Sequence, residues 1–202
     1  MLRRPGGQRG VGLIEAIVTL VVAGLLLAMA MPSFSIWLQN SRIRQTAESI
    51  LAGLQFAKSE ATTRNALVRF QLTSSVGDDC AISGNGSSWV VDVVDAADDS
   101  VEGRCNATPS DSEAPGILMV RSATEGSGDT RVQATTAALV FNGLSRLSPA
   151  PNGNITINVG NADGQRCAAN GGDLSCLRIV VTTAGQVRMC NPRFAAGDPQ
   201  AC

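Results

Sequence analysis

One carboxylate stands where water is least expected. Glu15 lies five residues into the apolar run 11–31, VGLIEAIVTLVVAGLLLAMAM. An ionised carboxylate inside an apolar helix costs several kcal/mol, so such a group is kept for a partner or a function. A second set of reactive groups is sulfur: Cys80, Cys105, Cys167, Cys176, Cys190 and Cys202 all follow residue 79. An even set confined to one part of an exported chain points to disulfides and an oxidising compartment. Six cysteines allow 15 pairings; loop proximity favours Cys80–Cys105, Cys167–Cys176 and Cys190–Cys202. Zinc is disfavoured because no CxxC pair exists. The acids Asp92, Asp95, Asp98, Asp99 and Glu102 offer hard oxygen ligands, but without the glycine-punctuated spacing of a calcium loop. They read as a solvated loop, and no metal or cofactor is assigned. The chain has no His, which excludes Ser-His-Asp triads and His-ligated metals. No nucleophile–base pair, phosphate loop or paired carboxylates stand out, so nothing supports an enzyme.

The elements that must carry these groups follow from periodicity. Residues 11–31 as a helix rise roughly 31 Å, the thickness of a bilayer core. Arg3, Arg4 and Arg9 precede it with no acid among them, which places residues 1–10 in the cytoplasm and exports the rest. Residues 33–66 continue as an amphipathic helix, with Ile36, Ile43, Ala47, Ile50, Leu54, Ala57 and Ala61 at three- and four-residue spacings. From residue 67 the period becomes two: Val68/Phe70/Leu72, Trp89/Val91/Val93, Ile117/Met119, Leu139/Phe141, Ile155/Ile157/Val159, Leu177/Ile179/Val181 and Val187/Met189. Glycine- and asparagine-rich turns such as Pro151-Asn152-Gly153 separate them. Seven or eight short strands predict two small antiparallel sheets, an α+β fold with a β-sandwich head packed on one long helix. Residues 95–115 and 123–129 read as exposed loops.

Here the pattern becomes specific. Gly10-Val11-Gly12-Leu13-Ile14-Glu15 resembles the processing site of type IV prepilins. The resemblance implies cleavage between Gly10 and Val11 by a prepilin peptidase, methylation of the Val11 amine, and an assembly role for Glu15. It also implies a helix-kinking part for Pro32. Val11 and Gly12 depart from the commonest pattern, which has Phe, then Thr or Ser. Trp37-Leu38-Gln39-Asn40-Ser41-Arg42, Ala57-Lys58-Ser59-Glu60-Ala61, Arg64-Asn65 and Ser88-Trp89-Val90-Val91 resemble the FimT/GspH group of minor pilins and pseudopilins. The tail from Gly185 to Pro192, with Gly197 to Cys202, is similar to FimT-type members in particular. Four segments follow: a leader at 1–10, a membrane and filament-core helix at 11–32, its amphipathic half at 33–66, and a periplasmic head at 67–202. The implied partners are other pilins in a filament, the peptidase and the inner membrane, with later display on a pilus at the cell surface.

A Gly-Arg-x-Arg motif near the C-terminus is implicated in DNA capture by FimT-like pilins. Here the stretch is Gly185-Gln186-Val187-Arg188, with the second arginine only. Arg188 and Arg193, with Arg178, are the candidate contacts to double-stranded DNA. Charge is uneven in support: residues 130–202 hold six arginines and three acids, whereas 74–129 hold eleven acids and two arginines. Without the three leader arginines the chain carries 13 basic residues against 17 acids, a net of −4, unusual for a general nucleic-acid binder. Two alternatives stand beside this reading. One is a pseudopilin of a type II secretion system. The other is a secreted β-domain whose signal peptide is cut after Ala28-Met29-Ala30.

Overall fold

The structure, a computed structural model, describes residues 12–94, 100–123, 130–162 and 165–202, without the side chains of Ala30 and Pro32. Gly10 and Val11, and the acids Asp95, Asp98 and Asp99, lie outside the described residues. Contacts divide the chain into two units, Met1–Trp37 and Leu38–Cys202, each described by itself.

The α-helical residues are Leu13–Arg64, α1. In the second unit its core face is written in the spacing of Ile43, Ala47, Ile50, Leu54, Ala57 and Ala61. Each of these is at most 1% exposed, a continuous stripe at alternating steps of four and three. The helix stops because Asn65 turns left-handed, with φ of 49°, a conformation Asn tolerates better than most residues. The Ala66 amide then donates to the Ala61 carbonyl across the cap.

Among the described residues eight strands follow: β1 (Val68–Thr73), β2 (Ser88–Val93), β3 (Ile117–Arg121), β4 (Thr130–Ala134), β5 (Ala138–Phe141), β6 (Ile155–Asn161), β7 (Leu177–Val181) and β8 (Val187–Cys190). They form two four-stranded antiparallel sheets, ordered β3-β2-β1-β5 and β4-β6-β7-β8. Alternation decides which side chains meet the helix. In the first sheet Phe70, Leu72, Trp89, Val91 and Phe141 are buried. Gly53 lets the helix approach here, because a Cβ at that position would lie 2.8 Å from Phe70 and 3.0 Å from Trp89. The Trp89 indole N–H donates to the Ser49 hydroxyl at 3.0 Å, which satisfies its one donor. In the second sheet Val132, Ile157, Val159 and Ile179 face inward. The Thr46 and Thr130 hydroxyls share a hydrogen bond, and Asn161 donates to Gln39. The only lysine, Lys58, reaches past the helix to the Gly185 carbonyl at 2.9 Å.

The outer face of the first sheet is not open to solvent. Cys80, Val90, Val101, Cys105 and Ile117 make a small second core on it, closed by the Cys80–Cys105 disulfide. This corrects the expectation of a simply exposed loop over 95–115, since Val101 and Cys105 are fully buried. It also corrects the placing of Asp92 in a solvated acidic cluster. Asp92 sits on β2, fully buried, and its carboxylate accepts from the Arg69 guanidinium at 2.6 Å and from the Gln71 amide at 2.8 Å. Glu102 is likewise engaged, accepting the backbone N–H of Ile82. A buried carboxylate needs such a fork; left alone it would have to neutralise or unfold its surroundings.

Candidate functional site

Two features outside the core carry chemistry. The first is the described part of the first unit. From Leu13 to Trp37 nearly every large apolar side chain is exposed, among them Leu20 at 72%, Leu26 at 64% and Trp37 at 62%. Contiguous apolar surface on this scale marks a segment that another apolar phase or chain must cover. Glu15 lies exposed in the first turn of α1, where the positive end of the helix dipole favours an acid. Among the described residues no single helix is long and apolar enough to cross a membrane. Leu13–Met29 meets that condition only together with Ser33–Arg64.

The second feature is the outer face of the second sheet. Register places Gln133, Asn158, Arg178 and Cys190 in one row across β4, β6, β7 and β8, and Arg131, Gly160 and Arg188 on the same face. The candidates Arg178 and Arg188 therefore share a face on neighbouring strands. Arg178 donates to the Asn158 side-chain oxygen at 2.7 Å. Arg188 is turned toward the tail, donating to the carbonyls of Ala201 at 3.1 Å and Cys202 at 3.3 Å. The Cys190–Cys202 disulfide holds that tail against β8. Arg193 is exposed just beyond the strand. Arg131, not singled out from the sequence, joins this face because β4 is a strand; only Thr130 and Val132 bury there, too faint an alternation to read beforehand. The Cys167–Cys176 disulfide crosses the face beside Gly160.

One surface ion pair fastens the acidic segment to the helix end. Arg64 bridges Glu60 at 2.8 Å and Asp111 at 2.9 Å. The hydrogen bond that Arg64 donates to the Asp111 carboxylate raises the Arg64 pKa, with the one to Glu60 adding to it. The same bond holds the Asp111 carboxyl below its usual range. A lowered carboxyl pKa stabilises the fold above the unfolded value, about 3.9, and loses that contribution as pH falls through the folded value. Asp111→Asn is therefore expected to lower the thermal midpoint slightly at pH 7. The gap from the unmodified chain should close below about pH 4. A gap that stays constant with pH would exclude the ion pair as its cause.

Among the described residues no group of three or more His, Cys, Asp or Glu could hold a metal ion. The sequence matches the family model described as "Type II transport protein GspH" over residues 46–185. None of the curated proteins matches this chain. A solved structure of the type IV minor pilin FimU of Pseudomonas aeruginosa aligns over 80% of this chain and 96% of its own. The identity is 13% and the TM-score 0.50. A second crystal form of FimU gives 14% identity and a TM-score of 0.46, covering 79% of this chain and 98% of its own. The solution structure of Escherichia coli GspH gives 14% and 0.39, covering 78% and 93%. The first of these likenesses agrees with the fold built above, a long N-terminal helix packed on an antiparallel head. The family match covers the amphipathic half of α1 from Thr46 and the head as far as Gly185, so the chain belongs to the GspH family.

Proposed function

We propose that this chain is a filament subunit of the minor-pilin and pseudopilin class, held in the bacterial inner membrane with its head in the periplasm until it is assembled. The observation that carries this is the uncovered apolar half of α1 with a carboxylate in its first turn, on a chain of the GspH family. Nothing in a free head needs such a segment, whereas a lipid bilayer and then a bundle of like helices would cover it. In this reading the leader is removed after Gly10 and the Val11 amine is methylated. Glu15 neutralises that amine on a neighbouring subunit. Type IV pili and type II secretion filaments would use the same contacts. Co-purification with pilus subunits or with secretion pseudopilins assigns the machine, and the FimT-like tail favours the pilus.

Intact mass and N-terminal sequencing of the protein from host membranes test the reading. The expected chain begins at Val11 and carries one added methyl group. A chain beginning at Met31 would lack Glu15 and most of the apolar segment, and would end the filament reading.

Contact with DNA is the finer reading, favoured by Arg178 and Arg188 on one face and Arg193 beside it. Arg188 would have to exchange two tail carbonyls for a phosphate, and a single such contact carries modest, salt-dependent affinity. Binding of a DNA duplex that weakens with salt and drops in Arg188→Ala is the expected result. Unchanged affinity in that variant removes Arg188 from the site.

A further inference from the structure

The outer face of the second sheet contains a cavity of about 290 Å³ that the filament reading does not use. Its described lining includes Arg131, Arg178, Gln133, Asn158, Asn170 and Gly160, and no carboxylate among the described residues. Two guanidinium groups with no acid among the described lining favour an anion, and the register sets how far apart they start. Arg131 pairs opposite Gly160, and Arg178 opposite Asn158 one row away on the next strand. Two strand spacings and a two-residue step put their Cα atoms roughly 12 Å apart, within the joint reach of two arginine side chains. Gly160 lies between them and supplies no side chain. A Cβ there would meet the Cys176 sulfur at 3.4 Å and the Cys167 sulfur at 3.8 Å. The missing side chain thus lets the disulfide lie against β6 as one wall of the pocket.

The polar groups are also preset. The Asn158 side-chain oxygen accepts from Arg178 at 2.7 Å, which leaves its NH₂ to donate elsewhere. Gln133 and Asn170 add amides that can both donate and accept, the pairing that hydroxyl groups require. A volume near 290 Å³ lies at the small end of ligand pockets. It has room for one ring.

We propose that this pocket binds a single oxyanion, carboxylate or phosphate, carried on a small hydroxyl-rich molecule of the sugar-acid or sugar-phosphate class. This does not depend on the filament reading. The test is calorimetric titration of the full chain in detergent micelles with glucuronate, glucose 6-phosphate, glucose and inorganic phosphate. Amide resonances of Gly160 and Asn170 report the place. The expected result is saturable binding of glucuronate or glucose 6-phosphate, at least about tenfold tighter than glucose or inorganic phosphate. That preference matches the strength of charge-assisted bonds with the hydroxyl contacts added. Arg131→Gln and Arg178→Gln should each weaken it about tenfold, and Arg166→Gln should not. Arg131 is exposed, so its variant should melt with the unmodified chain and isolate the contact from the fold. The proposal is overturned by glucose binding as tightly as the acids, by inorganic phosphate matching glucose 6-phosphate, or by full affinity in Arg131→Gln. Binding of a short DNA duplex with neither sugar bound would overturn it as well, in favour of a polyanion surface.

Discussion

Glu15→Leu is expected to leave the head folded and to remove the chain from filaments. The side chain stands exposed in the first turn of α1. Its loss should not shift the melting of the head. Leucine also suits a lipid-facing helix better than glutamate does, so membrane retention should persist or strengthen. What the substitution removes, on the proposed assembly, is the counter-charge for a terminal amine entering an apolar bundle. Stranding one member of a buried ion pair costs about 3–5 kcal/mol, a hundredfold or more in the assembly equilibrium by the usual conversion of roughly 1.4 kcal/mol per tenfold. Sheared filaments should then contain the unmodified chain and almost none of the variant, with equal amounts of both in the membrane. Equal amounts in the filaments would show that Glu15 plays no part in assembly. Glu15→Asp offers a finer reading, keeping the charge and shortening its reach.

Arg69→Met is the change expected to cost the head most. Asp92 is fully buried, and Arg69 grips it at 2.6 Å. Methionine would keep most of the arginine stem's packing and delete the cation. The stranded carboxylate should destabilise the fold by about 3–5 kcal/mol, read as a lower urea midpoint with an unchanged slope. The paired replacement Arg69→Met with Asp92→Leu removes both charges together. It should recover much of the loss, because apolar pairs of similar volume often match buried ion pairs. A single variant within 1 kcal/mol of the unmodified head, on the scale where exposed pairs fall, would show that water reaches Asp92.

The same residue shows where the sequence stopped being readable. Asp92 belongs by neighbourhood to a run of acids, and its sequence holds no sign that Arg69 lies across a strand pair from it. That pairing is long-range, fixed by register. The helix was legible because its stripe repeats over many turns, from Ile43 to Ala61. The strands that bury alternate residues deeply, such as Phe70 and Leu72 or Ile157 and Val159, were legible for the same reason. Thr130–Ala134 was not, since threonine and glutamine dilute its alternation, and the placing of Arg131 went with it. Val101 and Cys105 looked like loop residues because they are buried without any period, under a disulfide-closed cover. For the arginine candidates, residue type and order were legible beforehand. Whether Arg188 faces open water or the chain's own tail depends on how residues 190–202 fold back, which spacing does not encode.

Lys58 has a practical corollary for work on assembled filaments. It is the chain's sole lysine, half-buried and bonded to the Gly185 carbonyl. Amine-directed reagents, whether dyes or cross-linkers, need an accessible amine that can shed its proton and attack through its lone pair. In a mixed polymer this subunit should therefore stay dim while lysine-rich neighbours label. Spacer-length maps built on lysine chemistry would pass over it even where it touches its neighbours directly. Carboxyl-directed coupling through the acid-rich segment 74–129, which holds eleven Asp and Glu residues, is the chemistry that would make it visible.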